Sequence, residues 1–172
     1  GGQVGSGFNK SQSWFAKTLG DGPARALWDM AEEAKADLRA QVAEYAPDAR
    51  YRAGVAHGGY SAAEVASEHK DAEFLARTYG YDQIEMLNQA QMQGLVKSPK
   101  YVGGILDNGA GHIHPLRYVL GLSKAVEATG AVIFERTEVH HITKGEVAEV
   151  RTDKGRVNAK FVVVAGNGYL PG

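Results

Sequence analysis

Histidine pairs offer the most direct chemistry in this sequence, because imidazole nitrogens bind metal ions and transfer protons. His112 and His114 lie two residues apart in GHIHP and would share one face of an extended segment, as two metal ligands can. The sequence indicates no third ligand nearby, and Pro115 directly after them favours the positioning of a turn instead. His140 and His141 would point to opposite faces of a strand and could not chelate together. A metal-dependent hydrolase is the activity that His112 and His114 would serve.

Two glycine-rich segments could bring backbone N–H groups close to a ligand. GGQVGSG at residues 1–7 has no Lys-Ser/Thr pair at Walker A spacing, and no strand precedes it as in a dinucleotide-binding turn. Its residues alone favour a structural loop over a cofactor contact. AGNGYLPG at 165–172 directly follows an unbroken apolar run, and parallel sheets present backbone N–H groups to ligands at such strand ends. That segment is either a ligand contact or a plain turn after a strand.

Composition excludes several classes of protein. The 172 residues include no Cys, which removes disulfide scaffolds, thiolate metal sites and cysteine nucleophiles and agrees with a reducing compartment. Lys and Arg number 19 against 20 Asp and Glu, so no basic field favours a nucleic-acid partner. The sequence has no apolar run as long as a membrane span, and its first residues do not resemble a secretory leader. We expect a cytoplasmic globular protein.

The first half of the chain predicts helices with a short strand between them. Residues 1–13 are rich in Gly, Ser and Asn and predict an irregular loop. The spacing of apolar residues predicts amphipathic helices, and Ser61 with Glu64 matches a capping box at the start of one of them. The predicted elements are helices at 21–46, 61–78 and 82–93 and a strand at 51–56.

The second half predicts one helix among strands. YVGGILD at 101–107 predicts a strand, NGAGHIHP after it a glycine-rich turn, and residues 115–129 a helix. Pro115 suits the first turn of that helix, and Gly130 suits the position just past its end.

Four strand-like runs follow Gly130, namely AVIFE, TEVHHI, GEVAEVRT and RVNAKFVVVAG. The last three predict a β-meander, because Lys144-Gly145 and Asp153-Lys154-Gly155 are hairpin turn signals. Residues 131–134 and 161–165 are apolar without interruption, as in strands buried on both faces of a parallel sheet. The sequence thus predicts an α+β fold, with helices packed on a mixed sheet and a C-terminal β-meander.

Three stretches of the chain resemble the FAD-dependent amine and amino-acid oxidases of the D-amino-acid oxidase class. These are GGQ at 1–3, the segment from Gly103 to Ile142 that contains GGILDNGAGHIHP and TEVHHI, and FVVVAGNGYL at 161–170. Their order and spacing match the family, and together they span the whole chain. The resemblance implies an internal fragment, since the family has a strand, a glycine-rich turn and a helix before GGQ and continues beyond residue 172.

The resemblance also implies which residues face the cofactor and the substrate. Gly1, Gly2 and Gln3 match the segment beside the flavin ring and pyrophosphate, Val139 matches an adenine contact, and Ala165, Gly166 and Asn167 match a strand end near the dinucleotide. His112 and His114 would lie towards the substrate side. Residues 1–13 would form an FAD-proximal loop, 14–115 part of the substrate-binding domain, and 116–172 part of an incomplete, Rossmann-like FAD-binding domain. No catalytic residue and no metal ligand is assigned.

The implied reaction is the oxidation of the C–N bond of a small amine or amino acid, with hydride transfer to FAD in the full-length protein. We expect the isolated chain to carry no FAD and no activity, because the turn that anchors the pyrophosphate is missing. We also expect self-association through unpaired strand edges at 131–134 and 161–165. The alternative function is a self-standing α+β module that binds a ligand without flavin.

Overall fold

The chain is described by a computed structural model that covers residues 2–169 and divides into two compact units, residues 1–129 and 130–172. Gly1 and residues 170–172, including the end of the AGNGYLPG segment, lie outside the described residues. In the described part, none of the helices combines the length and the apolar character that a membrane crossing requires.

The first unit contains five helices and four strands. The helices are α1 (Gln12–Leu19), α2 (Asp21–Tyr45), α3 (Ala62–Tyr79), α4 (Gln89–Leu95) and α5 (Pro115–Ala128), and a 3-10 turn covers Pro47–Ala49. The strands are β1 (Gln3–Val4), β2 (Arg52–Gly59), β3 (Ile84–Asn88) and β4 (Gly103–His112). These bounds confirm the long helices predicted near 21–46, 61–78 and 115–129 and the strand predicted at 51–56.

Side-chain caps begin several of these helices. The Ser61 hydroxyl accepts a hydrogen bond from the Glu64 N–H at 3.2 Å, as the capping signature predicts. The Glu64 carboxylate accepts from the N–H of Tyr60, one residue before the cap. Asn88 and Gln91 form a complete capping box at the start of α4. Such caps satisfy N–H groups that the first helical turn leaves without a partner.

Strand β4 is the centre of an antiparallel sheet. Strand β2 pairs along β4 with His57 opposite Ile105, while β3 pairs with residues 103–107 and β1 with residues 111–112 of β4. The glycine-rich turn predicted at 108–115 is wrong, because β4 continues to His112. Its glycines make room for aromatic side chains: a Cβ at Gly109 would lie 2.1 Å from the Tyr81 hydroxyl.

The helix predicted at 82–93 is wrong in its first half. Residues 84–88 form β3, whose five residues all pair with β4, and only the segment from Gln89 onward is helical. The pairing partners on β4 lie 15 to 23 residues further along the chain, so local periodicity carries no information about them. The helix also runs past residue 93, its predicted end, to Leu95.

The second unit contains a three-stranded antiparallel meander, which confirms that prediction. Its strands are β5 (Val139–Thr143), β6 (Ala148–Thr152) and β7 (Arg156–Ala159), and a 3-10 turn covers Asn167–Tyr169. Residues 131–134 and 161–165 are not in strands, and every strand pair in the described part of the chain is antiparallel. The sheets are therefore antiparallel where a mixed sheet was expected, since these two runs have no neighbouring strand to bond their backbones.

Candidate functional site

The first unit brings the expected flavin-side residues against the expected substrate-side residues. Gln3 of β1 pairs with His112 of β4, and the Ile113 N–H donates to the Gly2 carbonyl at 2.8 Å. Gly2 has a φ of +92°, and a Cβ there would lie 2.4 Å from the Ile113 carbonyl oxygen and 3.0 Å from Pro115 Cγ. Only glycine fits this left-handed, close-packed position, so the GGQ segment is fixed against the end of β4.

The surroundings of His112 and His114 are cationic. Both residues line a shallow cavity of about 340 Å³ that Arg50 and Arg52 also line. His114 caps α5, with its Nδ1 accepting from the Arg117 N–H at 3.4 Å. Within residues 2–169, no three His, Asp or Glu side chains are grouped as a metal ion would require. Guanidinium groups beside a helix N-terminus suit an anion better than a metal ion, and FAD carries an anionic diphosphate.

A larger cavity, of about 670 Å³, begins two residues after Gln3. The loop 5–12 forms one wall, α2 and α3 form others, and the strands β2, β3 and β4 complete it. Its apolar lining comes from Phe8, Trp28, Ala72, Leu75, Ile84, Ile105 and Ala110. Its charged and titratable lining comes from Lys10, His57, Glu68, Asp71 and Asp107. A pocket of this size that combines apolar walls with polar and charged groups is typical of a small-molecule site.

Asp107 anchors the loop wall of this cavity. The side chain of Asp107 is buried and accepts four hydrogen bonds: from Ser6 Oγ at 2.7 Å, the Tyr81 hydroxyl at 2.6 Å, and the N–H groups of Gly109 and Ala110 at 3.0 and 3.2 Å. Ser6 belongs to the glycine-rich loop, so one carboxylate connects that loop to β4 and to Tyr81, in the segment between α3 and β3. Charge-assisted bonds of this kind are stronger than those between neutral groups.

Lys35 of α2 completes this network from the other side. Its Nζ donates to Ser6 Oγ at 2.7 Å and to the Gly109 carbonyl at 3.3 Å, and it forms an ion pair with Glu32 at 2.9 Å. The ammonium also lies 4.9 Å from the centre of the Tyr81 ring. Lys35 is 3% exposed, so its charge needs these partners.

Burial and the hydrogen bond to Asp107 raise the pKa of Tyr81 well above its ordinary value of 10.0. The hydroxyl therefore stays protonated and keeps donating to the carboxylate. Ser6, Lys35, Tyr81 and Asp107 form a rigid polar cluster that holds the first residues of the cavity loop in place.

Sequence reasoning missed Lys35 and Asp107. Lys35 follows Trp28 and Ala31 at helical spacing and shares their buried face, whereas Met30 and Tyr45, apolar residues of the same helix, are 59% and 42% exposed. A charged residue in register with a buried stripe is a signal that could have identified it. Asp107 is the last residue of the run that predicted a strand, and its side-chain partners Ser6 and Tyr81 are distant in sequence.

In the second unit, two expected dinucleotide contacts line one cavity. Val139 of β5 and Ala165 border a space of about 670 Å³ whose other walls are apolar or imidazole side chains, from His140, His141, Ile142, Val150 and Val162–Val164. A register shift between Val139 and His141 interrupts the strand alternation, so both histidines contribute to the wall. Gly166 and Asn167 continue from Ala165, with Asn167 at a φ of +50° in a 3-10 turn. Apolar walls of this kind fit a flat purine ring.

Comparisons with known proteins agree with this picture. Residues 1–171 match the model of the FAD dependent oxidoreductase family. The chain is 34% identical over 170 residues to gamma-glutamylputrescine oxidoreductase of Escherichia coli (strain K12), and 31% identical to a probable oxidoreductase OrdL of Rhizobium meliloti (strain 1021). Each alignment covers 99% of this chain and 40% of the relative, so the chain spans about two fifths of the curated relatives it matches.

Solved structures show the same fold. Glycine oxidase from Geobacillus kaustophilus aligns with a TM-score of 0.67 and 21% identity, over 95% of this chain and 43% of that one. L-proline dehydrogenase from P. horikoshii aligns with a TM-score of 0.71 and 17% identity, over 98% of this chain and 42% of that one. Because the family model covers almost every residue, this chain belongs to the FAD-dependent oxidoreductase (DAO) family.

Proposed function

We propose that this chain is the middle portion of a longer flavoenzyme that oxidises the C–N bond of an amine or amino acid, with a gamma-glutamylated diamine as substrate. The observation that carries the proposal is the pairing of Gln3 with His112 at the end of β4, which fixes the GGQ segment beside that strand. The loop that continues from this segment forms one wall of a cavity of ligand size. The curated relative of 34% identity is a gamma-glutamylputrescine oxidoreductase, which supports the substrate class. Residues 14–115 form part of the substrate-binding domain, and residues 1–13 and 116–172 contribute to the flavin-binding domain.

Each cavity has a role in this proposal. The chemistry that bound FAD supplies is the two-electron oxidation of the C–N bond. Gly2 and Gln3 offer backbone beside the flavin, while Arg50, Arg52 and the N-terminus of α5 give positive charge for its diphosphate. The remaining cofactor contacts are Gly1 at the flavin and Val139, Ala165, Gly166 and Asn167 around the adenine. The cavity under loop 5–12 binds and orients the substrate, and its apolar walls exclude water from it.

The experiment is an anaerobic titration of the full-length protein. We expect the purified protein to show the visible absorption of oxidised flavin, and that absorption to disappear when gamma-glutamylputrescine is added. Putrescine, glycine and L-proline serve as comparison amines. Flavin that none of these compounds reduces would contradict the reaction class, and reduction by glycine or L-proline alone would contradict the substrate class.

The isolated chain of residues 1–172 is the matched control. Within residues 2–169, β1 and β2 each lead past glycines into a helix, but neither segment has the G-x-G-x-x-G spacing that anchors a dinucleotide diphosphate. We expect gel filtration to separate this chain from added FAD and the chain to have no oxidase activity. Stoichiometric flavin on the isolated chain would overturn that expectation. Binding of another ligand without flavin would favour a self-standing binding module.

A further inference from the structure

The cavity under loop 5–12 contains a carboxylate that the described chain leaves without a donor. Glu68 lies on α3, and its Oε2 is shielded from solvent with no hydrogen-bond partner among residues 2–169. The other acidic side chains that line the cavity already accept hydrogen bonds. Asp71 accepts from Ser13 Oγ at 2.6 Å, and Asp107 accepts four hydrogen bonds. A buried acceptor without a donor costs stability. Gln12 Oε1, in the same wall, also lacks a partner, but Glu68 is the acidic residue of the two and is the one that a cationic donor would satisfy.

In the described part of the chain, the charged side chains around Glu68 do not form an ion pair with its carboxylate. Burial raises the pKa of Glu68 above its ordinary value. The nearby His57 and His69 act to lower this pKa, and the nearby Glu64 acts to raise it. His69 already has a hydrogen-bond partner. Its Nε2 lies 2.9 Å from the Gly104 carbonyl oxygen, and because that oxygen can only accept a hydrogen bond, Nε2 donates to it. No Lys, Arg or His in the described part of the chain forms an ion pair with Glu68. Lys10, on the loop wall, is exposed to solvent.

The rest of the wall favours an aliphatic chain attached to that cation. Phe8, Trp28, Leu75, Ile84 and Ile105 give an apolar lining to a volume of about 670 Å³. A carboxylate oxygen without a donor beside these apolar side chains fits an alkylammonium ion, whose three N–H donors need an acceptor and whose chain needs apolar surface. A neutral alcohol of the same chain length would contact the same apolar side chains but would bring no positive charge to the carboxylate.

We propose that Glu68 binds the ammonium group of a primary alkylamine whose aliphatic chain lies along the apolar wall of this cavity. Glu68 is then a specificity-determining residue that selects cationic ligands over neutral ones. Its role in choosing an enzyme substrate rests on the amine oxidation proposed above, but ammonium binding itself does not. The two proposals are therefore tested by different measurements.

The test is a calorimetric titration of the full-length protein with n-butylammonium and, separately, with 1-butanol. We expect the unaltered protein to bind n-butylammonium, and Glu68→Gln to weaken that binding by roughly tenfold to a hundredfold, as removal of a hydrogen bond to a charged group does. The control is Glu73→Gln, an exposed acid on the same helix, which should bind like the unaltered protein. All three proteins should bind 1-butanol equally weakly.

Equal binding of n-butylammonium by Glu68→Gln and the unaltered protein would overturn the proposal. So would the absence of binding to the unaltered protein, or binding of 1-butanol as tight as that of n-butylammonium. The comparison of the two probes needs no variant, so it can still overturn the proposal when Glu68→Gln fails to fold. Flavin reduction by amines is measured separately, and its failure would contradict the reaction while leaving the binding result to be judged alone.

Discussion

At the scale of single residues, Tyr81 shows how burial and one hydrogen bond fix a protonation state. The hydroxyl donates to Asp107 at 2.6 Å, its ring packs against Trp28, and the side chain is 8% exposed. Deprotonation would place a phenolate against a buried carboxylate, so folding favours the neutral form. Because the pKa of Tyr81 is raised in the folded state, the stability of the first unit depends on pH in the alkaline range.

The direction of that coupling gives the residue-scale prediction. In the unfolded chain Tyr81 ionises near its ordinary pKa of 10.0, and in the folded chain it ionises well above that value. Its contribution is therefore complete below pH 10.0 and is lost as the pH rises further, by up to about 1.4 kcal/mol per pH unit. Urea unfolding at a series of alkaline pH values should show this loss in the unaltered protein and a smaller loss in Tyr81→Phe. Tyr118→Phe, which removes a hydroxyl that donates to the uncharged Gln41 side chain, should keep the full slope. Equal slopes in all three proteins would contradict the assignment.

Residue chemistry was the part of the site that the sequence predicted least. The positions of Gly2, Gln3, His112 and His114 follow from the family resemblance, and the structure brings all four to one junction. Lys35, Glu68 and Asp107 have no such pattern. Their roles come from partners that are distant in sequence, and sequence spacing reports only on neighbours along one helix or strand.

At the scale of elements, local signals identified helices better than strands. Helices α2, α3 and α5 satisfy their own backbones, so caps and periodicity within each segment were sufficient to predict them. Strands β3 and β4 exist because they pair with each other, and β4 also pairs with β2. The spacing of apolar residues in β3 suggested a helix instead, and the glycines of β4 suggested a turn. The two-residue strand β1 is too short to leave any pattern.

The glycines of β4 give the element-scale prediction. A Cβ on Gly104 would lie 2.0 Å from the His57 carbonyl oxygen of β2 and 2.6 Å from Met92 Cε, at a φ of +156° that favours glycine. We expect Gly104→Ala to lower the free energy of unfolding by about 3 kcal/mol or more, because the clash is with backbone. Gly94→Ala is the control, since nothing lies within 4 Å of a Cβ there and α4 is helical.

Urea unfolding of both variants measures the difference. Gly94→Ala should raise stability by about 0.5–1 kcal/mol, as alanine does in a helix. A Gly104→Ala protein as stable as the unaltered one would mean that β2 and β4 do not approach as closely as the register requires. The pair of variants separates the general effect of adding a methyl group from the effect of adding it between two strands.

At the scale of the whole molecule, the second unit leaves apolar surface uncovered. Phe161 is 89% exposed and Val163 is 87% exposed, in a run whose composition predicts a strand buried on both faces. Phe134 and Val132, in the other apolar run, are also largely exposed. The sequence predicted the character of these runs correctly, but strands form only when neighbouring strands bond their backbones. In the longer flavoenzyme that we propose, other parts of the chain supply those neighbours.

The isolated chain should therefore associate through this surface. We expect analytical ultracentrifugation to show oligomers whose share grows with concentration, because exposed apolar side chains beside unpaired backbone groups form a ready contact between copies. Substitution of both Phe161 and Val163 by Ser should shift the chain towards monomer. Met30→Ser, which removes an exposed apolar side chain from α2, should leave association unchanged. A chain that stays monomeric at every concentration would show that residues 161–165 are covered within one molecule. In the full-length protein, the Ser substitutions should not change the oligomeric state, because its own strands already cover the run.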